Sequence, residues 1–448
     1  MEEIFTEQIL QKWIKSHEEE MIGDIRKLVE IPSIAEIGDE QNPYGNSCAK
    51  ALEQMKIICD RLGFETKNYG NRCMVVYWGN GETKVGIWGH LDVVPAGREW
   101  VYPPFQCTQN KGFLIGRGVQ DNKGPVIVFL YAMRFLKERG FAPVVGFQQI
   151  LGCNEEQGMG DVDYYLKETQ APHVSFVVDC NFPVCCGEKG ICKIQIKSSD
   201  VDKKLENLQG GTSANSVPSY AEASVEGEKK WAYGVGGHAA FPEGSQNAIG
   251  VLCRQLSQVL PKERSIRFLS ALASDGYGKT IELACKDDIS GPLTCNVGMV
   301  RMKGGKVEAE IDIRYPVTKN IEGILKKLEI SMKKYGYEIM EIRDSPPYYV
   351  PSDSEIVRLL TETYKQRRVG DSTAPYVMGG GTYARKIPNA VGFGPGMGMD
   401  FSDLGLEEGH GNCHGADEAQ SIENLEKALE IYIYSLVNID RYFENKQK

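Results

Sequence analysis

Hydrophobic positions recur along this chain at two periods. Over residues 1–30, Ile9, Trp13, Ile25, Leu28 and Val29 fall at helical spacing among charged residues, which predicts an amphipathic helix. A second helical stretch, 47–62, ends at Gly63, a residue type that commonly closes a helix. Short apolar runs follow: "CMVVYWG" from Cys73, "KVGIWG" from Lys84, "VVGFQQILGC" from Val144 and "HVSFVVDC" from His173. Their length and β-branched content predict strands inside a sheet. Between the second and third lies the helical "VIVFLYAMRFLKERG", with Pro125 at its start and Gly140 at its end. Strands alternating with helices predict an α/β architecture whose sheet is at least partly parallel.

From about 190 the pattern turns to β-alternation. "GICKIQIKSS" opens it, and "LTCNVGMVRMKGGKVEAEIDIRYPV" reads as a hairpin turning at Gly304-Gly305. Amphipathic helices are predicted near 246–260 and 321–335, then in "SEIVRLLTETYKQRR". Glycine-rich strand-and-turn sequence returns at "APYVMGGGTYARKIPNAVGFGPG", and the chain closes on the helical "SIENLEKALEIYIYSLVNIDRYF".

Composition narrows the function classes. The 448 residues are 42% hydrophobic and 25% charged, as in an ordinary globular protein of two or three domains. A net charge of −10 argues against nucleic acid or an anionic membrane as partner. The start, "MEEIFTEQIL", lacks a basic segment before an apolar core, so no signal peptide is expected. The apolar run "VIVFLYAM" is far shorter than the roughly 20 residues of a membrane span. Thirteen cysteines, an odd number without C-x-x-C spacing, fit a reduced cytoplasm. The adjacent Cys185 and Cys186 read as buried free thiols rather than a redox pair.

The chemistry gathers at strand ends. His90 and Asp92, in "GHLDVVPAG", are two residues apart and so share one face of an extended chain. Asp121 lies in "GRGVQDNKGP", Glu155 and Glu156 in "CNEEQG", and Asp179 closes "VVDC". All six are expected at or just after strand ends, where ligands of α/β sheets collect. "GHGNCHGADE" adds His410 and His414. So many carboxylates at one sheet edge require a cation. Oxygen and imidazole donors suit Zn, Mn or Co. Two histidines and three carboxylates exceed the usual set of one catalytic zinc and fit a pair of ions sharing a carboxylate. Phosphate-loop readings fail: "GYGKT" has Ala273 where a leading glycine belongs, and "GRGVQD" carries Asp121 in place of the third glycine. No G-x-S-x-G elbow occurs.

In these motifs and their order the sequence resembles the co-catalytic metallopeptidases. That family includes aminoacylase, carboxypeptidase G, acetylornithine deacetylase, succinyl-diaminopimelate desuccinylase and the bacterial PepV-type dipeptidases. The resemblance implies that His90 and Asp179 bind one ion, Glu156 and His414 the other, and that Asp121 bridges them. It makes Glu155 the general base and Asp92 the residue that orients His90. "GGTSANSVP", "GVGGHAAFPEGSQNA", "DIRYP" and "GGGTYAR" are similar to the lid and substrate segments of the dipeptidase branch. By that likeness His238 reaches the reacting carbonyl, while Asn215, Arg314 and the backbone at Gly380 and Gly381 hold the substrate carboxylate. Read without the likeness, His238 is a loop residue and Arg314 pairs with an acid such as Asp312.

The gap between Asp179 and His414 predicts an insertion within one catalytic domain. The expectation is a mixed, largely parallel α/β catalytic domain over 1–189 and 374–448. A lid over 190–373 is inserted in it, an α+β sheet with two helices on one face, as the resemblance implies. Two divalent ions per chain are expected, zinc foremost, with manganese or cobalt as alternatives. The function expected is cytoplasmic hydrolysis of dipeptides by a monomer or homodimer. Two rivals stand: an N-acyl amino acid deacylase using the same site, and a catalytically silent metal-binding scaffold.

Overall fold

The computed structural model describes residues 5–447. In chain order the first elements are α1 (Glu7–Val29), α2 (Asn46–Arg61), β1 (Glu65–Tyr69), β2 (Cys73–Trp78), β3 (Lys84–His90), α3 (Lys123–Glu138), β4 (Gly146–Gly152), α4 (Gly160–Glu168) and β5 (Val174–Val177). A second group comprises β6 (Gly190–Ser198), β7 (Leu205–Gly210), β8 (Tyr220–Val225), β9 (Glu228–Tyr233), α5 (Ala248–Val259), α6 (Arg264–Leu272), β10 (Thr294–Lys303), β11 (Lys306–Tyr315), α7 (Ile321–Tyr335) and β12 (Tyr337–Ser345). The chain ends with α8 (Glu355–Arg367), β13 (Ala390–Gly392) and α9 (Ile422–Gln447).

Two compact units result. One holds the described residues up to Cys186, Val350–Pro375 and those from Thr382 onward; the other holds Gly187–Tyr349 and Tyr376–Gly381. In the first unit a mixed sheet runs β1-β2-β4-β3-β5-β13. Strands β4, β3, β5 and β13 are mutually parallel, whereas β1 and β2 join antiparallel. The parallel centre is apolar on both faces because helices cover it. Helix α3 shows this most clearly: Val126 to Met133 are all fully buried. Helix α1 begins where the Thr6 hydroxyl accepts from the Ile9 N–H, and it buries Leu10, Ile14, Met21, Ile25 and Leu28.

The second unit is an antiparallel sheet ordered β9-β8-β7-β10-β11-β6-β12. Its β10–β11 hairpin turns at Gly304 and Gly305, both at positive φ. Three helices, not two, pack on the core of this sheet. Short α6, capped by the Glu263 carboxylate, adds Ile266, Phe268, Leu269 and Leu272 to the apolar cluster shared with α5 and α7. Nine residues are too few for periodicity to stand out from the sequence around them.

Segment 350–373, expected within the insertion, packs with the first unit instead. Helix α8 buries Val357, Leu360 and Tyr364, and Asn438 on α9 donates to Thr363 Oγ1 at 2.9 Å. Residues Tyr376–Gly381 go the other way, into the second unit. Among the described residues no helix is long and apolar enough to cross a membrane.

Candidate active site

Three neighbouring parallel strands deliver most of the acidic and imidazole groups. β3 ends at His90, β4 runs out two residues before Asn154, Glu155 and Glu156, and β5 is followed by Asp179. Asp121 does not sit at a strand end as expected. It occupies the turn leading into α3, whose amino terminus favours negative charge. His414 arrives from the loop before α9, at φ +62°, a backbone region that side-chain-bearing residues rarely adopt.

These residues converge. His90 Nε2 lies 2.9 Å from Asp121 Oδ1 and 3.6 Å from Asp179 Oδ2. His414 Nε2 lies 3.0 Å from Asp121 Oδ2 and 3.1 Å from Glu156 Oε1. Donor atoms of His90, Asp121 and Glu156 lie within 4.8 Å of one another, as do those of His90, Glu155 and Asp179. His410 stands apart from this set and pairs with Asp417, Nδ1 to Oδ2 at 2.7 Å.

The electrostatics explain what such a cluster needs. Burial, which alone disfavours the charged ring, is outweighed at His414 by hydrogen bonds to Asp121 and Glu156, so its pKa is pushed up to about 11. His90 is likewise raised, its burial outweighed by Asp121, Asp179 and Asp92. Burial and the charge of Asp121 push Glu156 up to about 7 and raise Asp179. Glu155 is raised well above the carboxylate range, chiefly by burial. The cluster thus retains protons to offset four crowded carboxylates. Divalent cations can replace those protons, and the donor set, imidazole nitrogens and carboxylate oxygens, fits them. Glu155 Oε1 is buried with no hydrogen-bond partner, in a side chain 8% exposed. A buried carboxylate oxygen without a hydrogen-bond partner is available to an ion or to a proton.

Around the donors lies a set of supports, of which the sequence motifs singled out Asp92 alone. His90 Nδ1 is 3.0 Å from the backbone carbonyl of Asp92 and only 3.4 Å from its carboxylate. The Asp92 carboxylate accepts from the backbone N–H groups of Glu155 at 3.2 Å and Glu156 at 3.1 Å. Asp92 therefore orients the glutamate pair as well as His90. Asn122 accepts from the His90 N–H at 3.2 Å and donates to Asp179 Oδ1 at 3.1 Å. Asp161, in the first turn of α4, accepts from the N–H groups of Cys153 and Asn154 at 2.8 Å each, and from the Tyr383 hydroxyl. A Cβ on Gly152 would lie 2.0 Å from that hydroxyl and 2.1 Å from Asp161 Oδ2, so this strand end has to be glycine. Arg117 and Glu418 form a buried ion pair at 2.6 Å. A buried charge pairing across the chain leaves no periodic signal in a single sequence.

The remaining expected residues lie in the second unit. His238 is exposed, its Nδ1 accepting from the Ala240 N–H at 3.1 Å. The Ala239 N–H donates to the carbonyl of half-buried Asn215 at 2.8 Å, so the Asn215 and His238 loops adjoin. Arg314 is 4% exposed and grips Asp312 with two nitrogens, at 2.5 and 2.8 Å, while Nη1 donates to the Gly379 carbonyl at 2.9 Å. The Asp312 pairing is thus present, and Gly380 and Gly381 follow directly from the carbonyl Arg314 holds.

Carboxylates crowded around two imidazoles, with a buried Glu155 oxygen left without a hydrogen-bond partner among them, fit a metal-dependent hydrolase. Comparison with known proteins agrees: the sequence matches Peptidase family M20/M25/M40 over residues 86–438, and the chain belongs to this family of metallopeptidases. It is 29% identical over 464 residues to a putative dipeptidase, YtjP, of Bacillus subtilis, covering 94% of this chain and 97% of that one. It is 28% identical to a Beta-Ala-Xaa dipeptidase of Lactobacillus delbrueckii subsp. lactis, covering 94% and 96%. In fold it is similar to human carnosine dipeptidase 1, with a TM-score of 0.62 at 14% identity over 97% of this chain and 98% of that one.

Proposed function

We propose that this metallopeptidase hydrolyses the amide bond of unblocked dipeptides, with two divalent ions held by His90, Asp179, Glu156 and His414 and bridged by Asp121. One observation carries the two-ion reading: the two oxygens of Asp121 face different histidines, Oδ1 toward His90 and Oδ2 toward His414. Zinc is the first choice for both positions, with manganese or cobalt as alternatives. When bound, such ions lower the pKa of water and polarise a carbonyl.

The protein's own groups do the rest. Glu155 takes the proton of the attacking water and passes it to the leaving amine. Asp92 keeps His90 and the Glu155–Glu156 backbone in fixed relation. For His238 we propose donation to the developing oxyanion. For Arg314, Asn215 and the backbone at Gly380 and Gly381 we propose recognition of the substrate's free carboxylate. The names of the bacterial relatives support a dipeptide substrate. A cytoplasmic setting fits the thirteen cysteines without C-x-x-C spacing.

A substrate panel tests the reading. Unblocked dipeptides should be cleaved with release of both amino acids, and their N-acetylated counterparts should resist. Cleavage of N-acyl amino acids alone would replace the dipeptidase reading with a deacylase.

A further inference from the structure

We infer that the buried Arg117–Glu418 pair is a positioning clamp that sets Asp121 and His414 relative to each other, and that affinity for the ion they share depends on it. The inference rests on the two-ion reading above. Glu418 Oε1 accepts three backbone N–H groups: Gly118 at 3.0 Å, Gln120 at 2.9 Å and Asp121 at 3.1 Å. Its Oε2 accepts from Arg117 Nη1 at 2.6 Å, and its backbone carbonyl accepts from the Gly116 N–H at 2.8 Å. The loop 116–121 is therefore wrapped around one carboxylate. Arg117 in turn donates through Nη2 to the carbonyls of His414 at 3.3 Å, Gly415 at 3.1 Å and Pro95 at 3.4 Å.

The pair thus joins the segment carrying the bridging carboxylate to the segment carrying the last imidazole. Arg117 is 1% exposed and Glu418 is fully buried. A desolvated ion pair gains little stability over apolar packing, so its use at this junction points to placement rather than to bulk stability. An apolar pair could fill the volume but could not accept three N–H groups that converge on one point. His414 needs such restraint, because its left-handed backbone is costly to hold. The consequence is selective. Both ion positions use Asp121, but the one that also uses Glu156 and His414 draws on both segments the pair joins, so the clamp bears more heavily on it, while His90 and Asp179 are fixed by their strands and by Asn122.

Glu418→Gln keeps the volume and one accepting oxygen but removes the charge. Metal-depleted wild type and variant would be titrated with Co(II), reading both affinities by calorimetry and the ligand field by visible absorption. The expected result is one affinity reduced about 10- to 100-fold, the other reduced less, and an altered absorption band. Arg117→Lys, which keeps the charge but loses the planar fork, should give a smaller shift of the same site and serves if Glu418→Gln does not fold. Asp440→Asn is the structural control. That carboxylate accepts from Val144 and Val145 at 2.8 and 3.1 Å, at the opposite end of β4 from Glu155. It should lower the melting temperature and leave both affinities intact. Wild-type affinities in Glu418→Gln, or equal weakening in Asp440→Asn, would overturn the clamp while the two-ion reading stands. A wild-type chain that takes up fewer than two ions overturns both.

Discussion

The backbone N–H of Glu155 donates to the carboxylate of Asp92 over 3.2 Å. Through that bond the residue proposed as general base is tied to the strand end that presents His90. Asp92→Asn keeps the shape but turns an amide group toward one of two backbone donors. Activity should fall about 10- to 100-fold, with reduced metal retention after dialysis. Steady-state kinetics and elemental analysis on one preparation check this. Unchanged values in both would remove Asp92 from the positioning role.

Glu155→Gln separates chemistry from metal binding. The side chain is buried and its Oε1 has no partner, so the amide should be accommodated. Turnover should drop about 10²- to 10⁴-fold while metal content stays at the wild-type level. A variant with near-wild-type turnover would end the general-base assignment.

Arg314→Ala should cost stability before it touches function. Asp312 is fully buried and would lose the guanidinium that pairs with it, a loss worth about 3–5 kcal/mol. Chemical denaturation checks the loss, and Arg314→Ala with Asp312→Ala should recover part of it. The role in recognition needs a separate readout: KM should rise for substrates with a free carboxylate and not for their amides.

Asp161 predicts a pH dependence. Burial and the charge of Asp92 push its pKa from 3.8 to about 6. Between those values the folded protein holds a proton that the unfolded chain has released, so stability falls as pH rises through this window and levels off above about 6. Asp161→Asn does not ionise. Its stability relative to wild type should rise across the window by at most about 3 kcal/mol. Urea denaturation of both proteins at several pH values measures the change, and a gap that stays constant with pH would contradict it.

The residues expected to gather in the site are legible in the sequence, and most of the groups that support them are not. His90, Glu155, Glu156 and Asp179 were legible because short apolar runs mark parallel strands, and polar groups at their ends are conspicuous. Asp121 stands out among glycines, but the sequence puts it at a strand end, since the turn into α3 has no periodicity to mark it. Glu418, Arg117, Asp161 and Tyr383 were unreadable as supports for a different reason: each acts through a partner distant in sequence or through backbone groups. Chain order puts the segment 350–373 in the insertion, whereas its packing is decided by α8 meeting the closing helix.

The most direct test strips the protein of metal with a chelator and returns Mn(II) or Zn(II) in measured equivalents while following cleavage of an unblocked dipeptide. The two-ion account predicts no turnover in the stripped protein and a rise that reaches its plateau at two equivalents per chain. Full activity after stripping, or a plateau at one equivalent, would contradict it.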